Sequence, residues 1–249
     1  MIPALPITGA AVLAPEPGGA QRITRIEPPA RFSKAVLRRT SRLGQLALPV
    51  VEAALLQAES TAGPELGLVV GTGLADLDET IGFLQGVHER GERFASPQMF
   101  QRSVHSAVAG ELAILYHLTG YNLTVTQGLA SGEAALLAAA LAVASGRCER
   151  CLCVAVDGVS DALLMALADL GHAPEAAGEG AAALVLGPPD HAGPALAWLE
   201  GVDVAAAEAA TRGADLPTGA HGAMGLVRTA QAILREPGAA LPPGVEVRW

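Results

Sequence analysis

The sequence predicts an α/β fold, a single layer of strands covered by helices. Short apolar runs typical of buried strands alternate with longer segments of helical periodicity. Residues 129–145 form an almost wholly apolar helix, so we expect protein to surround it on every side. Aromatic residues make up only 3% of the chain, so Ala, Leu and Val must fill the core between closely packed helices. The alternation of strands and helices indicates a largely parallel sheet.

The first 126 residues supply three predicted strands and three predicted helices. We expect strands at residues 5–14, 66–70 and 122–126, and helices at 43–55, 76–87 and 103–118. The apolar residues of the first helix recur at helical spacing, and Pro49 is expected to kink that helix or to mark a boundary. Gly71, Thr72 and Gly73 follow the second strand as a turn.

The remaining residues continue the alternation around the apolar helix. We expect strands at 151–156, 181–186 and 198–204, helices at 129–145, 161–170 and 226–235, and an edge strand at 245–249. Residues 219–225 lead into the last helix with almost no side-chain bulk. That helix should therefore approach the apolar helix 129–145 closely.

Charge and cysteine content argue against several classes of protein. A net charge of -9 disfavours a nucleic-acid partner. No unbroken run of 18 apolar residues predicts a membrane span, and the N-terminus lacks the basic start of a signal peptide, so we expect a cytoplasmic protein. Cys148, Cys151 and Cys153 lie close together, but a structural zinc needs a fourth ligand. We expect reduced core thiols, no metal and no cofactor.

Several ordered blocks of the sequence resemble the β-ketoacyl synthase family. These blocks are residues 106–110, 116–125, 130–132, 146–157, 178–186 and 219–225. The resemblance implies a truncated thiolase-like (ketosynthase) fold. It also implies a single domain over residues 1–249, with a complete N-terminal half in 1–190 and a shortened remnant of the second half in 191–249.

The resemblance fails at the catalytic positions. The family places a cysteine just before the Ala-Ser-Gly step, at a helix N-terminus that favours a thiolate, but Leu129 stands there in this chain. Leucine has no lone pair with which to attack a thioester. Of the family's two histidines, the segment for the first is missing between Val204 and Leu216, and the second position falls on Leu216. The resemblance thus implies that all three catalytic groups are lost.

A short chain without these groups resembles the chain-length-factor group of aryl polyene type systems. Residues 103–110 are similar to that group's helix start. The resemblance implies a non-catalytic subunit, not itself an enzyme, that pairs with an active β-ketoacyl synthase in type II polyketide, polyene or fatty acid biosynthesis. It would stabilise that synthase, shape its acyl tunnel, and meet an acyl carrier protein through the complex.

The strand before the nucleophile turn pairs across the dimer axis in this family, and an unpaired apolar edge is a liability. The predicted partner interface is therefore Asn122, Leu123, Thr124, Val125, Thr126 and Gln127, with residues 98–104 nearby. The residues predicted to gate the partner's acyl tunnel are Met99, Phe100, Ser103 and His105.

Several alternatives stay open. Ser131 with His105 or His221 could serve an acyl-thioester hydrolase or transferase, although its surroundings are not the Gly-x-Ser-x-Gly elbow. Gln127 could replace the cysteine, as glutamine does in classical chain-length factors, but it lies two residues away from that position. His105 could be a general base in either setting. A free-standing acyl-binding module is a third possible function.

Overall fold

The computed structural model describes residues 2–15, 22–171, 178–211, 221–235 and 239–249. Its strands are β1 (Leu5–Leu13), β2 (Leu66–Gly71), β3 (Asn122–Val125), β4 (Arg150–Asp157), β5 (Gly180–Leu186), β6 (Ala197–Val202) and β7 (Val245–Arg248). Its helices are α1 (Lys34–Leu37), α2 (Arg42–Gln57), α3 (Leu77–Arg90), α4 (Pro97–Ser103), α5 (Ala107–Tyr116), α6 (Ser131–Ala144), α7 (Asp161–Asp169), α8 (Val204–Thr211) and α9 (Met224–Ile233).

The strands of the described residues form one sheet in the order β3-β2-β4-β5-β1-β6-β7. Among the described strands, only β2 runs parallel to its neighbours β3 and β4, and the other pairings are antiparallel. The expectation of a largely parallel sheet is therefore wrong. The reason lies in the connection after β4: Asp157 pairs with Gly180, so the chain comes back to the end of the sheet that it left. A strand–helix–strand alternation gives parallel strands only where the helix crosses the sheet.

Two helical layers enclose the sheet. Helices α2 and α5 pack on one face, where Leu68 and Val70 point. Helices α6 and α9 pack on the other face, where Val69 points. Alternate residues of the central strands thus enter different cores, as the period of a strand requires.

Helices α6 and α9 are in close contact, as the small residues of the sequence predicted. A Cβ atom on Gly132 of α6 would lie 2.8 Å from the backbone nitrogen of Leu226 on α9. A Cβ atom on Gly225 would overlap the carboxyl group of Glu133. The two helix backbones can approach this closely only because glycine occupies both positions.

Several predicted boundaries differ from the structure. The predicted helix 103–118 is wrong as a single element, because Val104 is extended and separates α4 from α5. The predicted strand 198–204 is too long, because the side chain of Asp203 accepts a hydrogen bond from the Ala206 amide (3.0 Å) and α8 begins at Val204. Pro49 marks no boundary, since α2 continues through it.

Helix α6 is less enclosed than its composition predicted. Its N-terminal part is buried, but Leu141 near its C-terminus is 49% exposed. Strand β7 forms one edge of the sheet, as predicted, and β3 forms the other. Across the described ranges, the chain contains no helix with the length and apolar character needed to cross a bilayer.

Candidate functional site

Leu129 lies in a 3₁₀ turn, Gly128–Ala130, directly before the first residue of α6. The helix therefore begins at Ser131, two residues later than the predicted start at 129. The Ser131 hydroxyl closes the turn: it donates a hydrogen bond to the Gly128 carbonyl (2.7 Å) and accepts one from the Gln127 amide (2.9 Å). Ser131 is completely buried. Its hydroxyl group therefore stabilises the backbone of the turn that contains Leu129.

Three turns meet at this point. Gly73 follows β2, Gly128 precedes α6, and Gly222 belongs to a 3₁₀ turn, His221–Ala223, that leads into α9. A Cβ atom on Gly222 would lie 2.6 Å from the Gly128 carbonyl oxygen and 2.7 Å from the Gly73 nitrogen. The backbones at Gly73 and Gly222 therefore both pack closely against the turn that precedes α6.

Asp157, the last residue of β4, joins two of these turns. Its carboxylate is fully buried and accepts hydrogen bonds from the Thr72 hydroxyl (2.8 Å), the Gly73 amide (2.9 Å) and the Ala223 amide (2.9 Å). Burial raises the pKa of Asp157 to about 6, and the hydrogen bonds to its oxygens act in the opposite direction. Asp157 is not among the residues predicted from the sequence, although a carboxylate at the end of an apolar strand is a signal for such a role.

Leu129 also lines a cavity of about 260 Å³ between α6, α8 and α9. Glu133, one turn into α6, lines the same cavity and is only 6% exposed. Burial raises the pKa of Glu133, and the charge of Arg228 opposes that effect. Glu133 is also not among the residues predicted from the sequence, in which it only interrupts an apolar helix.

Strand β3 carries the predicted partner interface at the edge of the sheet. Asn122, Leu123, Thr126 and Gln127 are exposed, whereas Thr124 and Val125 are partly buried. In the described ranges β3 pairs with β2 alone. The Gln127 side chain donates a hydrogen bond to Glu208 on α8.

Some backbone N–H and C=O groups of β3 form hydrogen bonds with β2, and the others point to the open edge of the sheet. The carbonyls of Tyr121 and Val125 accept hydrogen bonds from β2 or its end, at Leu68 (2.8 Å) and Thr72 (3.1 Å). Because backbone groups alternate in direction along a strand, the N–H and C=O groups of Thr124 point away from β2. They face the open edge.

The predicted tunnel-gating residues lie away from the α6 cavity. Met99, Phe100 and Ser103 are on α4, and His105 is exposed in the turn before α5. Phe100 is 56% exposed and packs against Phe83 of α3 with ring centroids 5.5 Å apart. None of the four gating residues is among the residues that line the cavity.

The structure offers no support for a hydrolase pair at Ser131. In the described part of the chain, its hydroxyl bonds only to backbone groups of its own turn and to no histidine. The side chain of His221 lies outside the described residues, as does Leu216. The interpretation of Leu216 as the lost histidine position therefore stays a prediction.

The three cysteines are free and buried. Burial raises the pKa of Cys153, so its thiol is a poor nucleophile. Within the described ranges, no three or more metal-binding side chains come together.

A family model described as the N-terminal domain of β-ketoacyl synthases matches residues 19–177. No curated protein matches the chain.

Solved structures of three ketosynthase systems are similar to the chain. A β-ketoacyl synthase from Burkholderia phymatum STM815 is 19% identical, with a TM-score of 0.65 over 80% of this chain and 64% of that one. The ishigamide ketosynthase/chain length factor is 21% identical, with a TM-score of 0.67 over 84% of this chain and 73% of that one. A ketosynthase in complex with its chain length factor from Xenorhabdus doucetiae is 20% identical, with a TM-score of 0.58 over 74% and 79% of the two chains. The chain thus spans less than two thirds of the first of these proteins.

Proposed function

This chain belongs to the β-ketoacyl synthase family and has a thiolase-like (ketosynthase) fold, and we propose that it is a non-catalytic subunit of the chain-length-factor type. The observation that carries the proposal is Leu129 in the turn before α6, where the family's nucleophilic cysteine is expected. A hydrocarbon side chain cannot form the acyl thioester on which the family's reaction depends. Ser131, two residues further along the chain, is fully buried, and its hydroxyl group donates a hydrogen bond to the Gly128 carbonyl of the turn.

The partner in this proposal is an active β-ketoacyl synthase, bound through the open edge of β3. Backbone donors and acceptors on an open strand edge are a template for pairing with another chain. The exposed Leu123 adds apolar area beside them, at 36% exposure. Pairing there would bury the predicted interface residues 122–127.

The proposed function includes a role in closing the partner's acyl tunnel and a place in a biosynthetic pathway. Phe100 presents an exposed ring at α4, which suits a role in closing a partner's acyl tunnel together with Met99, Ser103 and His105. The named complexes of ketosynthases with chain length factors, and an acyl-carrier protein bound to its ketosynthase, support a role beside such a synthase. We place the chain in type II polyketide or aryl polyene biosynthesis, with the carrier protein reached through the complex.

The pairing is tested at Thr124, whose amide faces the open edge. Thr124→Pro removes that donor without removing a β2 hydrogen bond, whereas Thr124→Val keeps the donor and the β-branched shape. Each variant is co-expressed with the ketosynthase encoded beside this chain, and the recovered complex is measured by size-exclusion chromatography. We expect the valine variant to copurify like the wild type and the proline variant to lose at least tenfold in affinity.

Full copurification of Thr124→Pro would place the interface elsewhere. A monomeric wild-type chain that hydrolyses acyl thioesters, with Ser131→Ala abolishing the hydrolysis, would contradict the non-catalytic function itself.

A further inference from the structure

We propose that Cys148 and Cys151 form a reversible oxidation site, at which hydrogen peroxide converts the two thiols into a disulfide bond. The pair lies where the chain leaves α6 and enters β4, and two residues separate the cysteines in sequence. This C-x-x-C spacing is common in proteins whose dithiols are reversibly oxidised. The proposal does not depend on pairing with a ketosynthase.

The two sulfur atoms share the space above Gly67. Gly67 of β2 pairs with Cys151 of β4. A Cβ atom on Gly67 would lie 2.6 Å from Sγ of Cys148 and 3.4 Å from Sγ of Cys151, so both sulfurs lie around one point. Cys148 is outside the helices and strands, so its backbone can adjust as the sulfurs approach the roughly 2 Å of a disulfide bond.

The surroundings of the two thiols give them different roles. Cys148 keeps 8% of its surface exposed, whereas Cys151 is fully buried. Hydrogen bonding with the Cys151 thiol lowers the pKa of Cys148, and burial opposes this effect. The same hydrogen bond and burial raise the pKa of Cys151. Because the thiolate is the nucleophile, Cys148 reacts with the peroxide and Cys151 then closes the disulfide.

The reaction consumes one molecule of hydrogen peroxide for each disulfide. The Cys148 sulfur attacks one peroxide oxygen and becomes a sulfenic acid, while the O–O bond breaks and the other oxygen leaves as water with the thiol proton. The Cys151 sulfur then attacks the Cys148 sulfur, and the sulfenic oxygen leaves as a second water with the Cys151 proton. Two thiols are thus oxidised and the peroxide is reduced to two waters.

The test is peptide mapping of the wild-type chain, alone or in the copurified complex, after treatment with hydrogen peroxide. Remaining thiols are blocked with iodoacetamide in denaturant. Trypsin cleaves after Arg147 and Arg150, so Cys148 leaves on the peptide 148–150 and Cys151 begins the next peptide. Mass spectrometry should show these two peptides linked, and dithiothreitol should separate them.

Three alanine variants locate the disulfide. Cys148→Ala should slow the oxidation of the remaining thiols at least about tenfold, because both are buried thiols with raised pKa values. Cys151→Ala should stop at the sulfenic acid, which dimedone traps on the peptide 148–150. Cys153→Ala is the matched control, because Cys153 is fully buried in the same strand. It should form the linked peptides at the wild-type rate.

Three results would each overturn the proposal. In the first, iodoacetamide alkylates all three cysteines of the peroxide-treated chain. In the second, the linked peptides disappear in Cys153→Ala, which would assign the disulfide to Cys153. In the third, Cys148 is oxidised to the sulfinic acid in the wild type and no linked peptides form.

Discussion

At the scale of single residues, Asp157 joins the turn after β2 to the turn before α9, and both of these turns pack against the turn that precedes α6. Its hydrogen-bond partners Thr72 and Ala223 are 85 and 66 residues away in sequence. The position of Leu129 could be predicted, because it rests on a local block of sequence that resembles a known turn. The role of Asp157 could not, because a single sequence does not show which distant amides converge on a carboxylate.

Replacing Asp157 by asparagine should destabilise the fold. The asparagine amide group carries donors where the carboxylate accepts from Gly73 and Ala223, so at least one buried donor loses its partner. We expect the free energy of unfolding to fall by roughly 1–3 kcal/mol, measured by urea denaturation at neutral pH. An unchanged midpoint would mean that the carboxylate is not what joins these turns.

The same carboxylate should make stability depend on pH. Burial raises the pKa of Asp157 from 3.8 to about 6, so between these values the folded chain keeps a proton that the unfolded chain has released. The contribution of Asp157 to stability is then greatest below pH 3.8, falls as the pH rises to about 6, and is level above. The full change is roughly 3 kcal/mol.

This dependence is measured as the difference in unfolding free energy between the wild type and Asp157→Asn at several pH values. The advantage of the wild type should shrink between about pH 4 and pH 6. A difference that grows with pH over this interval would show that the native pKa is lowered rather than raised.

At the scale of secondary-structure elements, the contact of α6 with α9 brings the late part of the chain against the turn Gly128–Ala130. Small residues made this contact predictable, since only such residues let helix backbones approach closely. The direction of β5 was not predictable. It depends on whether the connection through α7 crosses the sheet or stays at one end, and strand-like and helix-like patterns do not contain that information.

A pair of glycine variants tests the contact. Gly132→Ala places a Cβ atom 2.8 Å from the backbone nitrogen of Leu226. A backbone atom cannot move aside without its helix, so we expect the free energy of unfolding to fall by roughly 1–3 kcal/mol. Gly110→Ala is the control, because Gly110 is exposed in α5 with nothing within 4 Å of the new atom. The free energy of unfolding of Gly110→Ala should rise by roughly 0.5–1 kcal/mol, because alanine has a higher helix propensity than glycine. The midpoints of thermal unfolding should shift in opposite directions, and a Gly132→Ala variant that is stabilised like Gly110→Ala would show that α6 and α9 are not in close contact.

At the scale of the whole molecule, the sheet has two different edges. Strand β7 ends one side with Glu246 and Arg248 exposed, and β3 ends the other with Leu123 exposed. Charged residues on an edge discourage pairing, so β3 is the better edge for a partner chain.

We propose that residues 1–190 and 191–249 act as one domain, because β6 and β7 extend the sheet begun by the earlier strands.

In the proposed function, this chain takes part in acyl transfer without carrying the acyl group itself. The most direct measurement is intact mass spectrometry of both subunits, after the purified complex has been incubated with an acyl thioester of the carrier protein. We predict that the partner ketosynthase gains the mass of the acyl group and that this chain keeps its unmodified mass. An acyl adduct on this chain, at Ser131 or at any cysteine, would contradict the claim.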